Sequence, residues 1–121
     1  QLISFLNLLI SKSNNEIIIT TGIDCPKILN HLLAHNLIQK VKIFNDLSFF
    51  ELENIISKCR LLISCHGSVS HVATAYNIKQ IDIIEEKKLF FYSKWTDHFR
   101  NYFPIYRKKF SDLAKDIINL I

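Results

Sequence analysis

Turn formers are scarce: the 121 residues hold two glycines and two prolines, with no methionine, one tryptophan and three cysteines. So few glycines and prolines argue against an all-β sandwich, whose many tight turns require them. Cys25, Cys59 and Cys65 are odd in number and form no CxxC pair, which points to reduced thiols and a cytoplasmic setting rather than a disulfide framework. No apolar run approaches the roughly 20 residues of a membrane span, and no basic, apolar leader is present. Two nucleotide-binding signatures are missing as well. Without GxxxxGK[ST] the chain is not read as a P-loop NTPase, and without GxGxxG after a strand it is not read as a dinucleotide oxidoreductase.

What is present is a large apolar fraction, 49% of residues, which excludes disorder. A chain of this length buries about two thirds of its unfolded surface, enough for one core and one domain over 1–121. Along it, helical and extended patterns alternate. Leu2, Phe5, Leu6 and Leu9 recur at helical spacing, and Ile3, Leu8 and Ile10 make that helix apolar on more than one side, which predicts burial against two partners. Glu16 to Thr21 reads as a short buried strand. Asp24 is the expected N-cap of a helix with Ile28, Leu29, Leu32 and Leu33 on one face.

Val41 to Phe44 is a second strand. Ser48 and Glu51 form an S-x-x-E capping box for a helix that turns Phe49, Leu52, Ile56 and Cys59 inward. Leu61 to Ser64 is the third strand, Val69 to Tyr76 a helix, and Gln80 to Ile84 the fourth strand. Leu89 to Phe99 reads as a helix, Pro104 as a turn, and Ser111 as the cap of a last helix carrying Leu113, Ile117, Leu120 and Ile121. Strands separated by helices predict a parallel sheet built from βαβ units. The expected fold is α/β, a Rossmann-like three-layer αβα domain with a parallel sheet of about four strands.

One junction carries the most chemistry. The apolar run Leu61 to Ser64 stops at Cys65-His66-Gly67-Ser68, and the helical pattern starts at once with Val69, Ser70, His71, Val72 and Ala73. In an open parallel sheet such a junction lies at the carboxyl edge, where ligands bind. The first N–H groups of the helix have no partners within it, and its dipole favours negative charge there, as a phosphate or diphosphate would supply.

The net charge of +4 is concentrated at one end. Residues 1–86 hold seven Lys/Arg and eight Asp/Glu, a balance of −1; residues 87–121 hold eight and three, a balance of +5. The basic residues interleave with Phe90, Phe91, Tyr92, Trp95, Phe99, Tyr102, Phe103 and Tyr106. Two arrangements are compatible with that composition. Either the aromatics Phe90, Phe91, Trp95, Phe99 and Tyr102 pack inward, with Lys94 and Arg100 beside the binding edge, or they form a basic aromatic surface for an acidic partner or a membrane. Burial is the expectation, and no nucleic-acid signature accompanies the patch.

The run Asp46-Leu47-Ser48-Phe49-Phe50-Glu51-Leu52, then Ile55-Ile56, Cys59-Arg60-Leu61-Leu62-Ile63-Ser64 and His66 to Ala73, resembles the donor-binding half of heptosyltransferase-like glycosyltransferases. Those enzymes have the GT-B architecture of two Rossmann-like domains. Their C-terminal half carries a Ser/Thr-x-x-Glu-Leu helix, a strand and a D-T-G-x-x-H-x-A signature that holds the diphosphate of a nucleotide sugar. His71 and Ala73 match the family's His and Ala, while His66, Gly67 and Ser68 stand in place of its Asp, Thr and Gly.

The resemblance spans roughly residues 16–86. It implies a nucleotide-sugar donor as substrate, a glycan or lipid-linked acceptor, and no cofactor or metal. It implies a diphosphate site of His66, Gly67, Ser68, Val69, Ser70 and His71, and their places at strand ends make Thr21, Gly22, Asp46 and Glu85 the expected secondary contacts. The family's catalytic base belongs to an N-terminal half and its first donor-domain strand would precede Gln1, so that half, or a second chain, is an expected partner. The strand order expected is second-first-third-fourth.

Each residue also has a plainer role. Gly67 serves the turn, Ser68 or Ser70 caps the helix, and Thr20, Thr21 and Gly22 end a strand. Cys65 beside His66 is read as a buried inert thiol rather than a nucleophile, and His31 with His35 as solvated histidines, since no third ligand follows at metal spacing. Glu85 and Glu86 are adjacent acids at a strand end, suited either to a sugar hydroxyl or to water. The alternative to the donor half is a non-catalytic binding or assembly module that uses the basic aromatic segment 87–121, with peripheral membrane contact.

Overall fold

A computed structural model describes residues 1–35 and 39–121, and the side chains among them other than those of Leu33 and His35. The two side chains assigned to the second helix face and to the histidine pair therefore lie outside the described residues. The element order is α1 (Leu2–Ser13), β1 (Ile17–Thr21), α2 (Lys27–His35), β2 (Val41–Asn45), α3 (Phe49–Lys58), β3 (Leu61–Cys65), α4 (Ser68–Ala75), β4 (Lys79–Ile84), α5 (Leu89–Thr96), β5 (Tyr102–Tyr106) and α6 (Phe110–Leu120), with a 3₁₀ turn at Glu86–Lys88. The chain is α/β and Rossmann-like: every strand pair is parallel, and helices join successive strands. It forms two compact units, Gln1–Phe49 with Ile121, and Phe50–Leu120.

The first unit contains a two-stranded sheet in which Ile17 pairs with Val41 and Thr21 with Asn45. Its strand β1 is one-sided rather than wholly buried: Ile17, Ile19 and Thr21 are half-buried, while Ile18 and Thr20 are exposed. Leu6 and Leu9 of α1 and Leu29 and Leu32 of α2 are buried. Leu8 is half-exposed, so α1 has one fully buried stripe and not the two expected. The entry of α2 also differs from the expectation. The Pro26 carbonyl receives the N–H groups of Leu29 and Asn30, and Asp24 lies outside the helix. Pro26 suits this place because its fixed φ precedes the first turn without requiring an N–H donor.

The second unit holds a three-stranded parallel sheet in the order β3-β4-β5. Leu61 to Cys65 pair with Lys79 to Ile83, and Gln80 to Ile84 pair with Tyr102 to Tyr106. The expected single sheet, with β1 beside β3, is replaced by these two sheets. A connecting helix makes successive strands parallel, but nothing within a strand marks its lateral neighbour. The fifth strand is a correction too, since it replaces the turn expected around Pro104. Pro104 is accommodated because β5 is an edge strand, where a missing N–H breaks no inner ladder. The segment 87–121 is consequently helix, strand and helix, not a helical tail.

Strand β4 lies between two neighbours, and Gln80, Ile81, Asp82 and Ile84 are all buried. Side chains alternate along it, so Gln80 and Asp82 share a face. Helix α4 meets that face with polar groups: Gln80 Nε2 donates to the Ser70 carbonyl at 3.2 Å and to Thr74 Oγ1 at 2.8 Å. Ile56, Ala73 and Ile117 are buried in the same unit. In α3, by contrast, Phe49 is 56% exposed although it was placed on the inward face. Helix α6 begins at Phe110, which puts Ser111 inside its first turn instead of at its cap.

The largest departure concerns α5. Phe90, Phe91 and Trp95 are 76%, 58% and 55% exposed, so the burial expected of them does not occur. Phe99 and Tyr102 are partly buried. Lys94 Nζ lies 4.8 Å from the centre of the Phe90 ring, on the exposed side of the helix, and Arg100 is exposed. Helix α5 is apolar around most of its circumference, and eight residues cannot bury every side of one helix against a single edge.

Candidate functional site

The site is built where β3 ends and α4 starts. The His66 N–H donates to the Ile83 carbonyl at 3.3 Å and carries the β3–β4 ladder one residue past the strand. Gly67 then takes an extended conformation (φ 177°, ψ −162°) as the N-cap. Such backbone is open to any residue, and a Cβ built there would meet only the Cys65 carbonyl at 3.9 Å. Glycine is therefore not required by the turn; what it leaves free is space in front of the helix. Its N–H donates to Ser70 Oγ at 3.4 Å, and the Ser70 N–H donates to the Gly67 carbonyl at 3.1 Å. The N–H groups of Ser68 and Val69 belong to the first turn and have no acceptor within the helix.

Beneath this junction lies a group that the sequence reading did not single out. Asp82 is fully buried in the middle of β4. Its Oδ2 is 2.6 Å from His66 Nδ1 and accepts the Tyr102 hydroxyl at 2.7 Å, and its Oδ1 accepts from Ser70 Oγ at 3.3 Å. A buried carboxylate costs several kcal/mol in lost hydration unless donors replace the water. Two hydroxyls and one imidazole nitrogen, from three elements, surround it here. Ser70 is thereby spent on the interior: it is fully buried and supports the junction from behind. The sequence signal for this hub was an acidic residue set among isoleucines, Ile81-Asp82-Ile83-Ile84.

Burial, and then the bond to Asp82, push the Tyr102 phenol well above its ordinary value near 10. The folded chain holds this proton more tightly than the unfolded chain does. The resulting stabilisation is complete below pH 10 and is lost as pH rises above it. Wild-type stability measured by urea unfolding is expected to decline above pH 10 by more than that of Tyr102→Phe, which lacks the titrating group. Equal alkaline slopes in the two proteins would contradict the Tyr102–Asp82 bond. At neutral pH, Tyr102→Phe is expected to cost about 1–3 kcal/mol for the lost donor to a charged acceptor.

Rings enclose the pair. The centre of the Tyr92 ring is 4.6 Å from that of His66, Phe99 meets His71 edge-on at 5.2 Å, and Phe99 meets Tyr102 at 5.3 Å. His66 and His71 themselves are 5.9 Å apart in an edge-on arrangement. Thr96 is buried, and its Oγ1 donates to the Tyr92 carbonyl one turn back within α5 at 3.0 Å. The His66 side chain retains 11% of its surface, and its Nε2 has no hydrogen-bond partner among the described residues. His71 and Ser68 are exposed and Val69 is half-buried.

The other candidates divide between the units. Glu85 follows β4 in the second unit, where its Oε1 is 3.8 Å from Arg107 Nη1 and 3.5 Å from Lys88 Nζ. Arg107 Nη2 also lies 3.7 Å from Cys65 Sγ. Cys65 is exposed rather than buried as expected, and its neighbour across the surface is this guanidinium. His66 Nδ1 is committed to Asp82. Thr21, Gly22 and Asp46 belong to the first unit, where Thr21 Oγ1 donates to Asn45 Oδ1 at 2.6 Å and the Asp46 N–H donates to the Thr21 carbonyl at 3.1 Å. Gly22 has open space around it. Among the described residues no group of three His, Cys, Asp or Glu is placed to hold a metal ion.

Fold and site together define a parallel α/β protein whose strand-to-helix junction presents N–H groups beside two imidazoles, one of them anchored to a buried carboxylate. Comparisons with protein-family models, with curated proteins and with solved structures give no match. Among the described residues no helix is long and apolar enough to cross a membrane.

Proposed function

We propose that this chain binds the diphosphate of a nucleotide sugar at the β3–α4 junction and acts as the donor half of a glycosyltransferase that transfers a hexosyl or heptosyl group to a glycan or lipid-linked acceptor. The observation that carries the reading is the convergence of first-turn N–H groups that have no acceptor within the helix with His66 and His71, whose rings are 5.9 Å apart, in front of an unobstructed Gly67. Anionic oxygens are favoured at a helix N-terminus by both hydrogen bonding and the helix dipole. In glycosyl transfer the same groups would stabilise the charge that develops on the departing diphosphate. Activation of the acceptor hydroxyl is assigned to residues outside this site, in an acceptor domain or second chain. The proposed location is cytoplasmic, peripheral to a membrane where the acceptor is lipid-linked.

A substitution tests the reading. Since a Cβ at Gly67 meets nothing closer than 3.9 Å, Gly67→Val is expected to fold normally while its branched side chain fills the space the ligand would use. Calorimetric titration with UDP, GDP and ADP should show at least one binding to the wild type, weakened about tenfold or more in Gly67→Val, roughly 1.4 kcal/mol. Equal affinity in the folded variant would remove the junction as the site.

The exposed Phe90, Phe91 and Trp95, flanked by Lys87, Lys88 and Lys94, favour a second reading: a binding or assembly module that docks on an anionic surface through α5. Salt-sensitive sedimentation with anionic vesicles, combined with no response to any nucleoside diphosphate, would select it.

A further inference from the structure

The residue that deserves a role beyond support is Asp82. A carboxylate that only filled a gap in the core would be replaced at less cost by an apolar side chain, because isolating an ion from water is expensive even when it is paired. Here the carboxylate is fully buried in the centre of the sheet, and α4, β5 and the β3–α4 loop each bring a hydrogen-bonding side chain to it. Only one of those side chains has a second reactive atom. Ser70 is buried, and Tyr102 has a single hydroxyl proton, which Asp82 already accepts. His66 has a ring with two nitrogens, and the one not held by Asp82 has no hydrogen-bond partner among the described residues.

We propose that Asp82 is a positioning residue that fixes the tautomer and orientation of His66, placing the proton on Nδ1 and presenting Nε2 as the working atom of the junction. A carboxylate on Nδ1 stabilises the imidazolium formed when Nε2 takes up a proton. His66 then meets an anionic phosphate oxygen as an N–H donor carrying positive charge. Tyr102 and Ser70 hold the carboxylate so that it does not turn away, and the Tyr92 ring limits rotation of the imidazole from the other side. The identity of the ligand rests on the reading given above; the tautomer lock does not.

Nitrogen-15 spectra of the imidazoles in the full chain test the two parts separately. In the ligand-free wild type, His66 is expected to carry its proton on Nδ1, the minor tautomer of free histidine. In Asp82→Asn, whose amide can offer an N–H to Nδ1, the proton should move to Nε2. Adding UDP to the wild type should shift the Nε2 signal toward the doubly protonated value, and Asp82→Asn should bind UDP about tenfold more weakly. A wild-type His66 protonated on Nε2 overturns the proposal without recourse to any variant. So does UDP binding that leaves the His66 ring signals unmoved. A locked Nδ1–H tautomer in a protein that binds none of UDP, GDP, ADP and pyrophosphate upholds the positioning role and overturns the nucleotide-sugar reading instead.

Discussion

Asp82→Ala is expected to be among the most destabilising single substitutions in the chain, costing about 3–5 kcal/mol, the range for removing one partner from a buried, charge-assisted cluster. The side chain is fully buried, and its loss leaves the His66 Nδ1–H, the Tyr102 hydroxyl and the Ser70 hydroxyl facing a dry gap. Each buried donor without an acceptor costs about 1–3 kcal/mol, though relaxation and entering water keep the sum below three times that figure. Domains of this kind are stable by only about 5–15 kcal/mol, so a large part of the total is at stake. Asp82→Asn keeps one acceptor oxygen and should cost less, about 1–3 kcal/mol. Urea unfolding of the three proteins gives the comparison. A midpoint for Asp82→Ala within error of the wild type would mean that Asp82 does not hold these three groups.

Ile81→Ala is the second large effect, about 2–5 kcal/mol from lost transfer energy and the cavity left behind. Ile81 has no exposed surface and sits in the strand bonded on both sides. The matching control is Phe90→Ala, a larger deletion at a position 76% exposed. It is expected to change stability by no more than about 0.5 kcal/mol. A Phe90→Ala loss that approaches the Ile81→Ala loss would show that α5 is covered and would restore the burial expected from the sequence.

That contrast marks where the sequence was readable. The first four strands are visible because runs such as Ile17-Ile18-Ile19 and Leu61-Leu62-Ile63 are short, β-branched or aliphatic and bounded by turn residues, and each observed strand lies within one residue of its expected limits. The β3–α4 junction is legible for the same reason, as a strand pattern that gives way at once to a helical one. Asp82 was not, because a hydrogen-bonded carboxylate in a buried strand looks, as a letter, like a solvent-facing residue. Only β5 and α4 on either side of it make it a hub.

Strand β5 was hidden by Pro104, which argues against a strand unless that strand lies at an edge. The lateral order of strands escaped as well, because alternation specifies a face and not a neighbour. For α5 the difficulty was of another kind. Leu89-Phe90-Phe91-Tyr92 guarantees apolar surface, but nothing in composition says how much of it the rest of the chain covers. In the fold, Tyr92 and Thr96 face the site while Phe90, Phe91 and Trp95 remain open.

The claim on which the functional reading depends is that the start of α4 receives a diphosphate. Backbone amide spectra recorded while UDP, GDP and ADP are titrated into the full chain test it most directly. The reading predicts saturable shifts for at least one of the three, largest at the N–H groups of Gly67, Ser68 and Val69, accompanied by the His66 and His71 rings and small at Phe90, Phe91 and Trp95 on the exposed side of α5. Spectra unchanged by all three nucleotides, or shifts confined to α5, would contradict it.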